Sequence, residues 1–139
     1  MEPTVYLNFN GDCLEAMTFY ARVLGGEVSG VFTNKDAPVD SRMPGDGDAV
    51  MNMAVKIGNT IMMASDAPAP YYEAPRGFSV ALSPPSKAEA ERVFSELSAD
   101  ARKVSMPFGE TFWAEAFAMF TDRFGTPWII NFAGSKAPG

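Results

Sequence analysis

The chain opens on a run rich in apolar and β-forming residues, Thr4 to Phe9, which predicts a strand. The period then changes. Asp12 stands as N-cap with Glu15 three residues on, a capping box. Ala16, Tyr20 and Val23 recur on one helical face, widened by Phe19 and Leu24, and Gly25-Gly26 ends the helix. Glu27 to Thr33 predicts a second strand. Residues 34–48 hold two prolines, two glycines and several charges, so a mobile loop is expected there.

Val50 to Ile57 and Thr60 to Ser65 predict a hairpin around Gly58-Asn59. Pairing across that turn puts Asn52, Ala54, Lys56, Ile61, Met63 and Ser65 on one face. Met51, Met53, Val55, Met62 and Ala64 take the other. Asp66 to Arg76, with three prolines and two tyrosines, is expected to be an ordered linker. After it the pattern restarts. Gly77 to Ser83 predicts a strand and Pro84-Pro85 breaks it. Ser86 and Glu89 then form a second capping box ahead of the stripe Ala90, Val93, Phe94 and Leu97. Shifting the chain by 74 residues overlays Asp12 on Ser86, Glu15 on Glu89, Ala16 on Ala90, Tyr20 on Phe94 and Val23 on Leu97. A duplication follows from that register. Strands are predicted near Lys103–Pro107, Thr111–Thr121 and Pro127–Phe132, with a turn at Asp122 to Gly125 and a frayed tail from Ala133. The order is βαβββ twice. One domain is expected over residues 1–139, with a first module at about 3–66 and a second at about 76–133.

Composition narrows the chemistry. The chain has 139 residues, 47% of them hydrophobic, a size and content suited to one packed domain. A formal charge of −6, with no cluster of Lys and Arg, argues against a nucleic-acid or anionic-membrane partner. No stretch approaches the ~20 apolar residues of a spanning helix. The N-terminus lacks the basic and apolar regions of a signal peptide. The single cysteine, Cys13, cannot make an internal disulfide, which suits a reducing cytoplasm. It reads as a small residue in the first helical turn, or alternatively as a reactive thiol near a helix N-terminus. There is no histidine. The commonest ligand for zinc, nickel and non-haem iron is therefore missing, together with every triad that needs imidazole.

Two segments carry a resemblance. The first is Phe9-Asn10-Gly11-Asp12-Cys13-Leu14-Glu15-Ala16, with Phe19-Tyr20 and Gly25-Gly26. The second is Glu110-Thr111-Phe112-Trp113-Ala114-Glu115, with Thr121-Asp122-Arg123-Phe124-Gly125 and Pro127-Trp128. With the duplicated unit, they resemble the PhnB-like branch of the vicinal oxygen chelate superfamily, which includes glyoxalase I, bleomycin-resistance proteins and extradiol dioxygenases. The resemblance implies an α+β fold: two tandem βαβββ modules forming a curled mixed sheet, helices outside, a cup inside and a homodimer. It also implies metal ligands on the first and last strands of each module. Those positions fall near Val5, Asn52, Ser79 and Ile129, of which two are aliphatic and two neutral. Such a set is too weak to hold zinc, nickel or iron, so neither metal nor other cofactor is expected. Proteins of this resemblance also carry the label 3-demethylubiquinone methyltransferase. The Gly-rich strand-to-helix turn that S-adenosylmethionine enzymes usually need is absent, since Gly25-Gly26 follows a helix.

Asn52, Ser65, Ser79 and Asn131 are the polar side chains expected to line the cup, where they bind a ligand or else each other and water. Trp113, Phe112 and Phe117 form an aromatic wall or belong to the core, and Trp128 is expected to pack against a helix. Glu110 and Glu115 are the candidate acid–base residues. In an apolar cup such a carboxyl has a raised pKa. The competing reading pairs them with Arg123 or Lys56. The methionines read as adaptable core. The function expected is small-molecule binding in a metal-free cup. The alternative is an enzyme of lyase, isomerase or dioxygenase type, using a pocket glutamate or a recruited metal. A third possibility is a cup filled by its own side chains.

Overall fold

The computed structural model describes residues 1–138. Contacts divide the chain into two compact units, one of residues Met1–Ala74 and one beginning at Pro75, a boundary inside the proline-rich linker.

The first unit runs β1 (Val5–Phe9), α1 (Cys13–Leu24), β2 (Glu27–Thr33), β3 (Val50–Ile57) and β4 (Thr60–Asp66). Its strands form one mixed sheet in the order β1-β4-β3-β2, with β1 parallel to β4 and the other pairs antiparallel. The hairpin register sets Ala54 against Met63 and Lys56 against Ile61, the face assignment expected from Gly58-Asn59. The face carrying α1 is dry: Leu7, Phe9, Met53, Val55, Met62 and Ala64 are each at most 5% exposed. They pack on Ala16, Met17, Tyr20 and Val23 of the helix, all buried. Burial of this stripe, rather than helix propensity, holds a twelve-residue helix in place. Gly26 is required by space, because a Cβ there would stand 2.6 Å from the carbonyl oxygen of Lys56.

The second unit repeats the plan with β5 (Val80–Leu82), α2 (Lys87–Leu97), β6 (Lys103–Gly109), β7 (Ala116–Thr121) and β8 (Pro127–Phe132), in the order β5-β8-β7-β6. Trp128 and Ile130, fully buried, face α2 together with Phe120, whose ring meets Phe94 edge-on at 5.4 Å. The turn before β8 is knotted by Asp122. One carboxylate oxygen accepts the N–H groups of Phe124 and Thr126, and the other accepts Trp128 Nε1–H at 2.8 Å. The Asp-Arg-Phe-Gly and Pro-Trp elements of the sequence signature are thus one buried hydrogen-bonded unit.

Three expectations about local structure are corrected, and a fourth gains detail. The 34–48 segment is a loop, as expected, and contains short 3₁₀ turns at Asn34–Asp36 and Val39–Ser41 joined through buried Asn34. Thr111–Glu115 is a tight turn and not the start of β7. The Thr111 hydroxyl accepts the N–H groups of Trp113 and Ala114, a local bond that competes with the sheet ladder. β6 extends past Pro107 to Gly109, because an edge strand with register shifts tolerates the missing N–H. The tail from Ala133 is held through a 3₁₀ turn at Gly134–Lys136 and is not frayed there; its last residue, Gly139, lies outside the described residues.

The two capping boxes differ as well. Ser86 accepts from Glu89 N–H as expected, whereas the Asp12 side chain makes no capping bond. Asp66, at the end of β4, takes that place.

Candidate functional site

The Asp66 carboxylate is the centre of the first unit's loop end. One oxygen accepts N–H from Gly11 (2.9 Å) and Cys13 (3.1 Å); the other accepts N–H from Val50 (2.9 Å). These bonds tie the C-terminal end of β4 to the start of α1 and the start of β3. Negative charge also suits a helix N-terminus.

Around this tie opens a cavity of about 550 Å³, lined by the ends of β1 and β4, the start of β3, the loop and the first residues of the linker. Its polar walls are Asn8, Asn10, Ser65 and the Asp66 side; Met43, Val50, Met51 and Pro68 supply apolar surface. The loop wall is shaped by Asn34. Its side-chain N–H₂ donates to the carbonyl of Met43 at 2.7 Å, and its oxygen accepts Met43 N–H at 2.8 Å. The loop closes at its base through Asn34 N–H to Ala49 and Lys35 N–H to Gly47.

Of the residues predicted from the sequence, Ser65 lines this cavity, and its hydroxyl donates to Asn8 Oδ1 at 3.2 Å. Asn52 is its neighbour across the hairpin and sits exposed, with the Tyr6 hydroxyl 3.4 Å from its side-chain oxygen. Asn131 and Phe117 oppose each other on β8 and β7, and the Phe117 ring meets Trp113 at 5.1 Å. Asn131 Oδ1 is buried without a hydrogen-bond partner among the described residues. Phe112 caps this aromatic group and is 88% exposed, so it belongs to no core. Ser79 lies just before β5, outside the sheet ladder.

The two glutamates are placed otherwise than expected. Glu115 Oε2 accepts the backbone N–H of Ser135 at 2.5 Å, and that bond holds its carboxyl below the usual carboxylate range instead of above it. Glu110 is exposed and pairs with Lys136 at 3.1 Å, not with Arg123 or Lys56. Lys136 also donates to the carbonyl of Thr111. Both carboxylates fasten the tail to the β6–β7 turn. The Cys13 thiol is fully buried, and burial, with Asp66 and Asp12 nearby, pushes it up to about 12.

Val5 alternates with Leu7 and Phe9 and so takes the α1 side, and Asn52 lies on β3 rather than on the module's last strand. The pairs away from the helix on β1/β4 are Tyr6–Met63 and Asn8–Ser65; on β5/β8 the corresponding pair is Ala81–Ile129. None is imidazole or carboxylate, and no three His, Cys, Asp or Glu side chains converge among the described residues. These groups do not fit a transition metal.

The pattern of the Glyoxalase/Bleomycin resistance protein/Dioxygenase superfamily matches residues 6–130. The chain belongs to that superfamily. Within it, the chain is similar to protein YjdN of Escherichia coli K12, 33% identical over 137 residues and 91% of each chain. It is similar to PA1353 of Pseudomonas aeruginosa, at 42% identity and a TM-score of 0.86, covering 95% of this chain and 97% of that one. The fold is shared with a Bacillus cereus PhnB protein that is named as a 3-demethylubiquinone-9 3-methyltransferase, at 23% identity and a TM-score of 0.80, covering 96% and 100%. As a superfamily member the chain carries the two βαβββ modules of that fold; no helix among the described residues is long and apolar enough to cross a membrane.

The sequence pointed to Ser65 but missed Asn8, Asn10, Asn34 and Asp66. The Asn10-Gly11 pair before α1 was a usable local signal. Nothing local marks Asp66, whose three partners lie 16 to 55 residues away.

Proposed function

We propose that this PhnB-like superfamily member binds a small organic molecule in the first-unit cavity without a metal. The cavity carries the reading: about 550 Å³, within the usual range for ligand pockets, with a few amide and hydroxyl groups set among apolar walls. Ser65 and Asn8 orient the ligand, and Met43 and Met51 adapt to its shape. Within the second unit, the orphaned Asn131 oxygen beside Phe117 and Trp113 supports a small-molecule contact of that unit's own. Catalysis by Glu110 or Glu115 is disfavoured, because both are engaged in holding the tail.

A homodimer in a cytoplasmic setting completes the proposal. β2 and β6 are edge strands with exposed Val28, Val31, Phe32 and Val104, which a second copy would cover. Analytical ultracentrifugation tests that part.

The binding test uses untagged protein and 1-naphthylmethanol. Methyl NMR signals of Met43, Met51 and Ala49 should shift on titration, and Ala49→Trp, which fills the cavity, should abolish the shifts. Absence of any shift there, or a stoichiometric transition metal held by the chain's own groups, overturns the proposal.

A further inference from the structure

We infer that the cavity selects an amine-bearing organic cation and rejects phosphonates and carboxylates; this rests on the proposed binding role of that cavity. Its lining includes two carboxylates, Asp46 and Asp66, and no Lys, Arg or His.

The two cations of the neighbouring loop, Lys35 and Arg42, do not line the cavity. Lys35 Nζ pairs with Asp48 at 2.6 Å. Arg42 turns into the loop itself, its Nε donating to the carbonyl of Ala37 at 3.0 Å and its terminal N–H₂ to that of Lys35 at 2.9 Å. A helix N-terminus is ordinarily a place for an anion. Here Asp66 already occupies the start of α1, accepting Gly11 and Cys13 N–H. An incoming phosphonate would therefore meet a bound carboxylate where it needs free amide donors. A cation meets the opposite situation. Asp46 lies on the loop wall and uses one oxygen to accept Asp48 N–H at 2.8 Å; the Lys35 ammonium that acts on it is shared with Asp48 and Asp36, so this part of the wall stays net negative toward an ammonium group. Asn8, Asn10 and Ser65 supply neutral oxygens on the facing wall.

Three probes with one ring system separate charge from cavity filling: 1-naphthylmethylammonium, 1-naphthylmethanol and 1-naphthylmethylphosphonate, titrated by methyl NMR. The ammonium probe should bind at least threefold more tightly than the alcohol, with the phosphonate weakest. Asp46→Asn keeps the oxygen that accepts from Asp48 and removes the charge. It should weaken the ammonium probe about three- to tenfold, the range for one charge at partly screened distance, and leave the alcohol unchanged. Raising the salt concentration should weaken the ammonium probe alone. If the alcohol shifts the cavity methyls but the phosphonate matches or exceeds the ammonium probe, or Asp46→Asn leaves the ammonium probe unmoved, the charge inference falls and the cavity reading stands. If no probe shifts Met43, Met51 or Ala49, both fall.

Discussion

Asp66 accepts the backbone N–H of Cys13 across 53 residues of sequence, closing the first turn of α1 from the end of β4. The same carboxylate holds Gly11 and Val50, so helix start, strand start and cavity floor share one anchor.

Replacing Asp66 should therefore cost more than a surface charge. Asp66→Ala leaves three backbone donors without their acceptor and is expected to destabilise the first unit by about 2–3 kcal/mol. Asp66→Asn, which keeps one carbonyl oxygen, should cost less. Urea unfolding of both variants measures the difference, and equal stability of Asp66→Ala and wild type would contradict the assignment.

Asn34 should control the loop more than the fold. Asn34→Ala removes both bonds to Met43 and is expected to cost about 1–2 kcal/mol. Hydrogen exchange should accelerate at Met43 and at the amides of Lys35 and Ala49, while those of β3 and β4 stay protected. Uniform acceleration through the sheet would show that the loop is not a separate element.

Glu115 carries a pH prediction. Its carboxyl is held below the usual range by the Ser135 N–H, so the stabilisation it gives the tail is present above the unfolded-state pKa of ordinary glutamate. It is lost as pH falls through the lowered folded value. The protection of the Ser135 amide, its exchange rate relative to the intrinsic one, should fall on acidification. In Glu115→Gln that amide should show little dependence on pH beyond the intrinsic rate. Gly134→Ala should release the tail by another route, since a Cβ there would collide with the Glu115 carboxylate.

Cys13 is expected to be inert. With the thiol fully buried and raised to about 12, an aromatic disulfide reagent at pH 8 should leave it unmodified in the native protein and react promptly in 6 M urea. Fast modification of native protein would mean that the start of α1 opens readily.

The duplicated order of strands and helices was legible in the chain because each element writes its own period, and because Ser86 and the Gly58-Asn59 turn act through neighbours three residues away or fewer. The absence of histidine likewise limited the chemistry before any contact was known. The anchoring groups were not legible. Asp12 looked like the cap of α1 because it stands in the right place; Asp66 performs that role because folding brings β4 alongside β1. Glu115 reads from the sequence as an acid–base group or as the partner of Arg123 or Lys56; its bond to the Ser135 N–H makes it an anchor of the tail. Local hydrogen bonds and hydrophobic periodicity are properties of short segments, so sequence determined the elements. A cavity and the charge that faces it are made by residues from Asn8 to Ala69 meeting in space, and only the tertiary structure decides which of them meet.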